Sequence, residues 1–214
     1  LPEVQTVVNS LQKLKNNCIT NFTFDWEKVI YNMPSVNIRD ILKNKRIISI
    51  SRKGKYIIIA IDKLFLLCHL RMTGYLYHSR VLTKNKHMRC YFKLNNSSYI
   101  IYEDIRKFGG FYYSENLNFL TKKIGIDPII DKNFTTQWLN KNLRLKRRQL
   151  KSLLLDQSFI CGLGNIYIDE ILWRSNLNPK TISSTLSNQS IDILYNSILK
   201  ILNDSLKHHG TTIM

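Results

Sequence analysis

Cysteine is scarce in this sequence and dispersed. The four cysteines, Cys18, Cys68, Cys90 and Cys161, include no C-x-x-C pair. That argues against a disulfide framework and against a zinc site built from them, and it suits a reducing cytosol. Long apolar runs are missing as well. The most apolar stretch, Tyr56 to Leu70, is broken by Asp62 and Lys63, and neither half approaches the roughly 20 residues of a membrane-spanning helix. No basic stretch precedes an apolar core at the N-terminus, so no secretory signal is visible. Internal repeats and low-complexity linkers are absent too. Acidic residues are few: 15 Asp and Glu stand against 32 Lys and Arg, a formal net charge of +17.

At 214 residues the chain suits one large domain or two small ones with a sizeable core. With 44% apolar and 11% aromatic residues, the positive excess is not a mark of disorder. It implies a folded protein with a polyanionic partner, nucleic acid first and an acidic membrane surface second.

Leu1 to Leu14 carries Val4, Val7, Val8, Leu11 and Leu14, the stripe of a helix that packs one face. From about Phe22 to Tyr113 the texture is β. Short runs recur at Ile47–Ile50, Tyr56–Ile61, Phe65–Leu70, Cys90–Leu94, Tyr99–Tyr102 and Phe111–Tyr113. Strands at this spacing predict an antiparallel sandwich or barrel. Beyond Asp127–Pro128 the pattern is helical: Trp138 to Asp156, the turn Gly162–Gly164, Asn165 to Arg174, and a helix after Ser187 with Ile191, Leu194, Ile198, Ile201 and Leu202 on one face. The predicted fold class is α+β. A β domain over 1–115, with its N-terminal helix, is joined by a linker at 116–130 to a helical domain over 131–214.

Two acid-free clusters hold much of the charge. Lys43, Lys45, Arg46, Arg52, Lys53 and Lys55 form one, and Lys141, Arg144, Lys146, Arg147, Arg148 and Lys151 the other. On a helix, Arg144, Arg147, Arg148 and Lys151 share a face. Either cluster alone reads equally as a solvated face. One cluster per domain favours a groove between the domains lined with phosphate contacts.

Three short motifs carry chemistry. Gly162-Leu163-Gly164-Asn165 lies between two helices, where glycines permit a sharp turn and the N–H groups opening the second helix form an anion site. Gly54-Lys55-Tyr56 places a lysine where glycine lets a phosphate come near. In Asp104-Ile105-Arg106-Lys107-Phe108-Gly109-Gly110, an arginine and an aromatic project from one tight loop. Such a pair could enter a duplex, the guanidinium meeting a base edge and the ring wedging into the stack. The competing reading is an Asp104–Arg106 turn pair with Phe108 in the core. Met72, beside a turn, reads either as a probe of the same kind or as core filling. Asp169 and Glu170 point apart on their helix and read as structural.

These motifs, in this order and spanning the chain, resemble formamidopyrimidine-DNA glycosylase. The resemblance rests on Leu1-Pro2-Glu3-Val4-Gln5-Thr6-Val7, Gly54-Lys55-Tyr56, His69-Leu70-Arg71-Met72-Thr73-Gly74 and Asp104-Ile105-Arg106-Lys107-Phe108-Gly109. Leu154-Leu155-Asp156-Gln157, Gly162-Leu163-Gly164-Asn165-Ile166-Tyr167-Ile168-Asp169-Glu170 and Gly210-Thr211-Thr212 continue it. The endonuclease VIII branch shares the architecture, but the start and the Arg-Lys-Phe-Gly loop are more like the formamidopyrimidine branch. The resemblance implies a helix-two-turn-helix repair enzyme. It would flip an oxidised purine such as 8-oxoguanine from duplex DNA, cleave its glycosidic bond and cut the strand by β,δ-elimination. Flipping is forced, because the sugar C1′ cannot be attacked while the base is stacked. By the family pattern Met72, Arg106 and Phe108 fill the vacated space, with Arg106 facing the orphaned cytosine. Lys55, His87, Arg106, Lys146, Lys151 and Asn165 hold backbone phosphates, and Lys55 is also the proton donor for elimination. The family's second histidine of this segment stands here as Arg89, which keeps a donor and loses titratability. The resemblance implies, as partner, duplex DNA with an oxidised purine or abasic site, bound by a cytoplasmic monomer.

Two departures follow. The family nucleophile is an N-terminal proline followed by a glutamate, in a near-repeat whose second Pro-Glu is what Pro2 and Glu3 match. Pro2 is acylated by Leu1, so its nitrogen is an amide and cannot form a Schiff base. The family also continues past Gly-Thr-Thr into a zinc finger with four cysteine ligands, and the cysteines here lack that spacing. Zinc is therefore expected in a full-length member and has no ligands in these residues. The expectation is a piece of an enzyme trimmed at both ends. The alternatives are a binding-only protein of the same fold, an endonuclease VIII-type pyrimidine glycosylase, and an unrelated RNA-binding module that explains the charge but not the motifs.

Overall fold

A computed structural model describes residues 1–118 and 123–208 of the protein. The chain forms two compact units, Val4–Leu117 and Leu1–Glu3 with Asn118–Met214. The Gly210-Thr211-Thr212 motif lies outside the described residues.

In the unit Val4–Leu117, helix α1 (Pro2–Leu11) and the 3-10 turn Gln12–Leu14 bury Val4, Val7, Val8, Leu11 and Leu14, the stripe predicted from sequence. Eight strands follow: β1 (Cys18–Phe24), β2 (Lys45–Lys53), β3 (Tyr56–Ile61), β4 (Leu64–His69), β5 (Gly74–Ser79), β6 (Met88–Leu94), β7 (Tyr99–Asp104) and β8 (Gly110–Ser114). All pairings are antiparallel, in the order β5-β7-β6-β1-β2-β3-β4-β8. Phe111 of β8 meets Phe92 of β6 at 5.5 Å and Tyr102 of β7 at 5.2 Å between ring centroids. Those strands are remote in the order, so the sheet doubles over into the expected sandwich, with these rings in its core.

Sequence periodicity missed β1, β5 and helix α2 (Ser35–Leu42). In β1 a bulge between Ile19 and Asn21 puts the buried residues Ile19 and Phe22 three apart, which erases the period of two. Strand β5 is an edge strand that fully buries Leu76 alone. Helix α2 spans only eight residues, and of its apolar residues only Ile38 and Leu42 are fully buried, too few to set a period.

In the helical unit, Thr135 caps helix α3 (Thr136–Arg144) by accepting from the Trp138 amide at 3.1 Å. Helices α4 (Leu150–Leu155), α5 (Asn165–Arg174) and α6 (Asn188–Lys207) follow. Ser187 caps α6 through the Ser190 amide at 3.1 Å. Their apolar faces form one core that includes Leu139, Leu150, Ile168, Ile171, Leu194 and Ile198.

One correction concerns the basic cluster. Trp138 to Asp156 is two helices, not one. The stretch between them bonds instead to the segment 179–183: the Ser183 amide donates to the Arg148 carbonyl at 2.9 Å, the Leu150 amide to Thr181 at 2.8 Å, and the Ser183 hydroxyl to the Lys146 carbonyl at 2.5 Å. These long-range bonds override a locally helical sequence. Arg144, Arg147, Arg148 and Lys151 therefore do not form one helix face. Arg144 donates to Ser184 and Asn188, and Arg148 ion-pairs with Asp156 at 2.5 Å.

Candidate nucleic-acid interface

Two loops of the β unit carry the predicted intruding residues. In the turn between β4 and β5, Arg71 is left-handed at φ 53°, and its amide donates to His69 Nδ1 at 3.0 Å. The Gly74 amide closes the turn onto the Leu70 carbonyl at 2.9 Å, where a Cβ on Gly74 would overlap that oxygen. Met72 is thereby held 72% exposed. It does not fill the core.

The loop between β7 and β8 hangs from Asp104, whose residue surface is fully buried. One carboxylate oxygen accepts from the Thr73 hydroxyl and the Arg106 amide (3.1 Å), the other from the Gly109 amide (2.7 Å) and the Tyr102 hydroxyl (3.4 Å). Burial works to raise the Asp104 pKa, but these donors outweigh it and hold the carboxyl below its ordinary value. So Asp104 binds the Arg106 backbone, not the guanidinium. Lys107 is left-handed at φ 57°, and Phe108 stands 57% exposed, outside the core. A Cβ on Gly109 would overlap the Tyr102 hydroxyl and lie 2.6 Å from the His69 carbonyl. Each apolar tip, Met72 and Phe108, thus follows a cationic residue in a conformation that costs an L-residue about 1 kcal/mol. The Arg106 Nη1 lies 3.4 Å from Met72 Sδ, bringing the two loops together.

Lys55 sits in the two-residue turn joining β2 to β3, after Gly54 at φ 56°. Positive φ at the first turn position fits a tight hairpin. Close by, Tyr56 packs edge-on against His69 at 4.7 Å. Burial first, then Arg71 and Lys55, lower the His69 pKa to about 4, so the ring is neutral at pH 7 and free to accept from Arg71. His87 is half-buried, and its carbonyl accepts the Asp104 amide at 3.0 Å. Arg89 keeps its role as a donor, but to the protein's own backbone. It is buried and donates to the carbonyls of Asp104 (2.7 Å) and Lys86 (3.1 Å), bracing the loop from beneath. Arg52, counted in the first basic cluster, is likewise buried and bonds Gln5 at 2.7 Å.

In the helical unit, Lys146 is exposed in the break after α3. Lys151 of α4 pairs with Asp169 of α5 at 2.6 Å. Asn165 is exposed at the first position of α5, whose first turn contains no acid and whose N-cap, Gly164, offers no side chain. The preceding turn is fixed by Gln157, which accepts from the Gly162 amide and donates to the Leu163 carbonyl, both at 2.9 Å. Gly162 adopts φ 94°, and a Cβ there would overlap the Leu1 side chain.

Sequence reasoning missed one constellation. The buried Tyr167 hydroxyl donates to Glu3 Oε1 at 2.5 Å and accepts from Ser205 Oγ at 3.0 Å. Burial works to raise the Glu3 pKa, and the bond from the Tyr167 hydroxyl opposes it. Glu3 and Tyr167 are 164 residues apart, and no local signal links them.

Zinc does not fit the described residues. Among the described residues no three His, Cys, Asp or Glu side chains converge. Cys68, Cys90 and Cys161 are buried, and burial raises the thiols of Cys68 and Cys90 above the ordinary range, opposite to what a thiolate ligand needs.

Comparison with known proteins gives a consistent result. The formamidopyrimidine-DNA glycosylase N-terminal domain matches residues 1–111, and the formamidopyrimidine-DNA glycosylase H2TH domain matches residues 124–214. The formamidopyrimidine-DNA glycosylase of Streptococcus agalactiae is 35% identical over 222 residues, which cover all of this chain and 80% of that protein. The Lactococcus lactis formamidopyrimidine-DNA glycosylase, solved non-covalently bound to DNA containing an AP site, superposes with a TM-score of 0.91 at 32% identity. That match covers 99% of this chain and 83% of the other. MutM in complex with DNA containing carbocyclic 8-oxo-G gives the same TM-score and identity, covering 100% and 81%. The chain belongs to the formamidopyrimidine-DNA glycosylase family, and with it to the DNA glycosylases.

Proposed function

We propose that the protein excises oxidised purines, 8-oxoguanine and formamidopyrimidines, from duplex DNA, with Met72, Arg106 and Phe108 filling the space of the extruded nucleotide. The observation that carries this reading is the pair of braced loops, which present an exposed methionine and an exposed phenylalanine around one arginine. Exposing apolar side chains on preorganised backbone is costly in free protein and becomes favourable once they enter a base stack. Arg106 offers N–H donors to the estranged cytosine. Lys55, His87, Lys146, Lys151 and Asn165 contact backbone phosphates, Asn165 with the open amides of its helix N-terminus. The bacterial origin of the relatives supports a cytosolic or nucleoid location for this activity.

The lyase step requires an amine that Pro2, as an amide, does not supply. The proposal assigns the proline nucleophile and its glutamate to residues ahead of Leu1, with Lys55 donating the proton in elimination. Borohydride trapping on an abasic duplex tests this. A chain extended by Met-Pro-Glu forms a covalent adduct, whereas residues 1–214 bind without one. Intact binding with no adduct from the extended chain leaves a damaged-DNA binding protein of the same fold. Phe108→Ala is expected to slow base extrusion, followed by 2-aminopurine fluorescence, more than it weakens binding to undamaged duplex. Equal effects refute the wedge.

A further inference from the structure

We propose that Tyr31 is a positioning residue for base extrusion, its hydroxyl fixing the Phe108 carbonyl so that the ring is presented outward. This rests on the assignment of Phe108 as the intruding side chain. The Tyr31 hydroxyl donates to the Phe108 carbonyl at 2.6 Å, across 77 residues of sequence. Tyr31 is itself anchored. Its amide donates to the Phe111 carbonyl at 2.9 Å, its ring lies 4.7 Å from that of Tyr112, and the next residue, Asn32, makes two bonds to the Tyr113 backbone. The segment around Tyr31 is thus zipped along β8, the strand into which the Phe108 loop runs.

The loop needs such a hold. Residues 105–108 are all exposed, so little side-chain burial fixes them. Lys107 occupies the left-handed region, which opposes the observed shape. Asp104 gathers amides of the loop, and Tyr31 takes the carbonyl at its tip. A side chain that must push into a stacked duplex works only from backbone that does not yield, and ordering it in advance lowers the cost at extrusion. Burial raises the Tyr31 pKa to about 12, so the hydroxyl keeps its proton throughout the physiological range.

The test is a double-mutant cycle on Tyr31→Phe and Phe108→Ala, which separates a residue acting through Phe108 from one acting elsewhere. Extrusion is timed by stopped-flow fluorescence of 2-aminopurine beside a tetrahydrofuran abasic analogue, with binding to undamaged duplex measured in parallel. Tyr31→Phe keeps the ring and is expected to slow extrusion roughly fivefold, the ratio matching one net hydrogen bond of about 1 kcal/mol. Binding to undamaged duplex stays constant, and the effect vanishes in the Phe108→Ala background. Full-speed extrusion by Tyr31→Phe, where Phe108→Ala is slow, overturns the inference and spares the wedge. Equal slowing in both backgrounds overturns it too, because Tyr31 then acts elsewhere. If Phe108→Ala leaves extrusion unchanged, the wedge assignment itself has failed.

Discussion

Replacing Asp104 with asparagine changes one atom of a buried carboxylate, and the geometry fixes what that must cost. Two oxygens receive four donors: the Thr73 and Tyr102 hydroxyls and the Arg106 and Gly109 amides. The hydroxyls can turn and accept instead. The backbone amides cannot. They sit on opposite oxygens, so whichever way an asparagine amide is set, one backbone N–H faces an NH2 group. Losing a bond to a charged acceptor and leaving a buried donor unmet is worth about 3 kcal/mol. That is a large share of the roughly 5–15 kcal/mol stability of a typical protein. With a urea m-value of about 2 kcal/mol/M, the midpoint of the β-unit transition should fall by about 1.5 M. Trp26, packed 6.0 Å from Lys107 of the loop, reports that transition once Trp138 and Trp173 are changed to phenylalanine. The sign with pH is also fixed. The Asp104 pKa is lowered, so its contribution is present above the unfolded value near 3.9 and is lost as pH falls through the native one. The gap between the two proteins should narrow on acidification. A loss below about 0.5 kcal/mol at pH 7, with unchanged m, refutes the idea that Asp104 holds the loop.

Lys146→Ala should weaken binding to every duplex alike and reduce the slope of log K against log salt by about 0.9, one phosphate contact; an unchanged slope removes Lys146 from the contact set. For His69, the neutral form is favoured in the fold, so its contribution is complete above about pH 6.5 and is lost as pH falls towards about 4. Protonation also forfeits the acceptor for the Arg71 amide, and the turn carrying Met72 should loosen in the same window. His69→Asn keeps an acceptor and should flatten the stability profile there, by up to about 3 kcal/mol; a His69 pKa above 6 by NMR refutes this.

Much of the fold was legible because its signals are local. The α1 stripe is a period of 3.6 within eleven residues, and Tyr56–Ile61 is an unbroken β-rich run that became β3. The helix Asn165–Arg174 was bounded correctly by Gly164 before it and a loss of apolar spacing after it. The exposed loops were legible as ordered motifs, Arg71-Met72 and Arg106-Lys107-Phe108, carried by resemblance as much as by physics. Local reading failed where distant chain competes for the backbone. Nothing within Leu145–Gln149 forbids a helix; the segment 179–183 captures its hydrogen bonds instead.

The amino-acid sequence by itself therefore determined the class of partner, through a net charge of +17, and the apolar faces that drive each unit's collapse. Tertiary structure alone decided which of those charges face solvent. Arg52 and Arg89 are buried among carbonyls, and Lys151 is paired, while Lys146 and Arg106 are left exposed. It also decided which distant groups meet: the Tyr31 hydroxyl on the Phe108 carbonyl and the Tyr167 hydroxyl on Glu3. Hydrophobic spacing is written within a turn or two of chain, but hydrogen bonds and burial depend on atoms brought together across 77 or 164 residues, which no local pattern encodes.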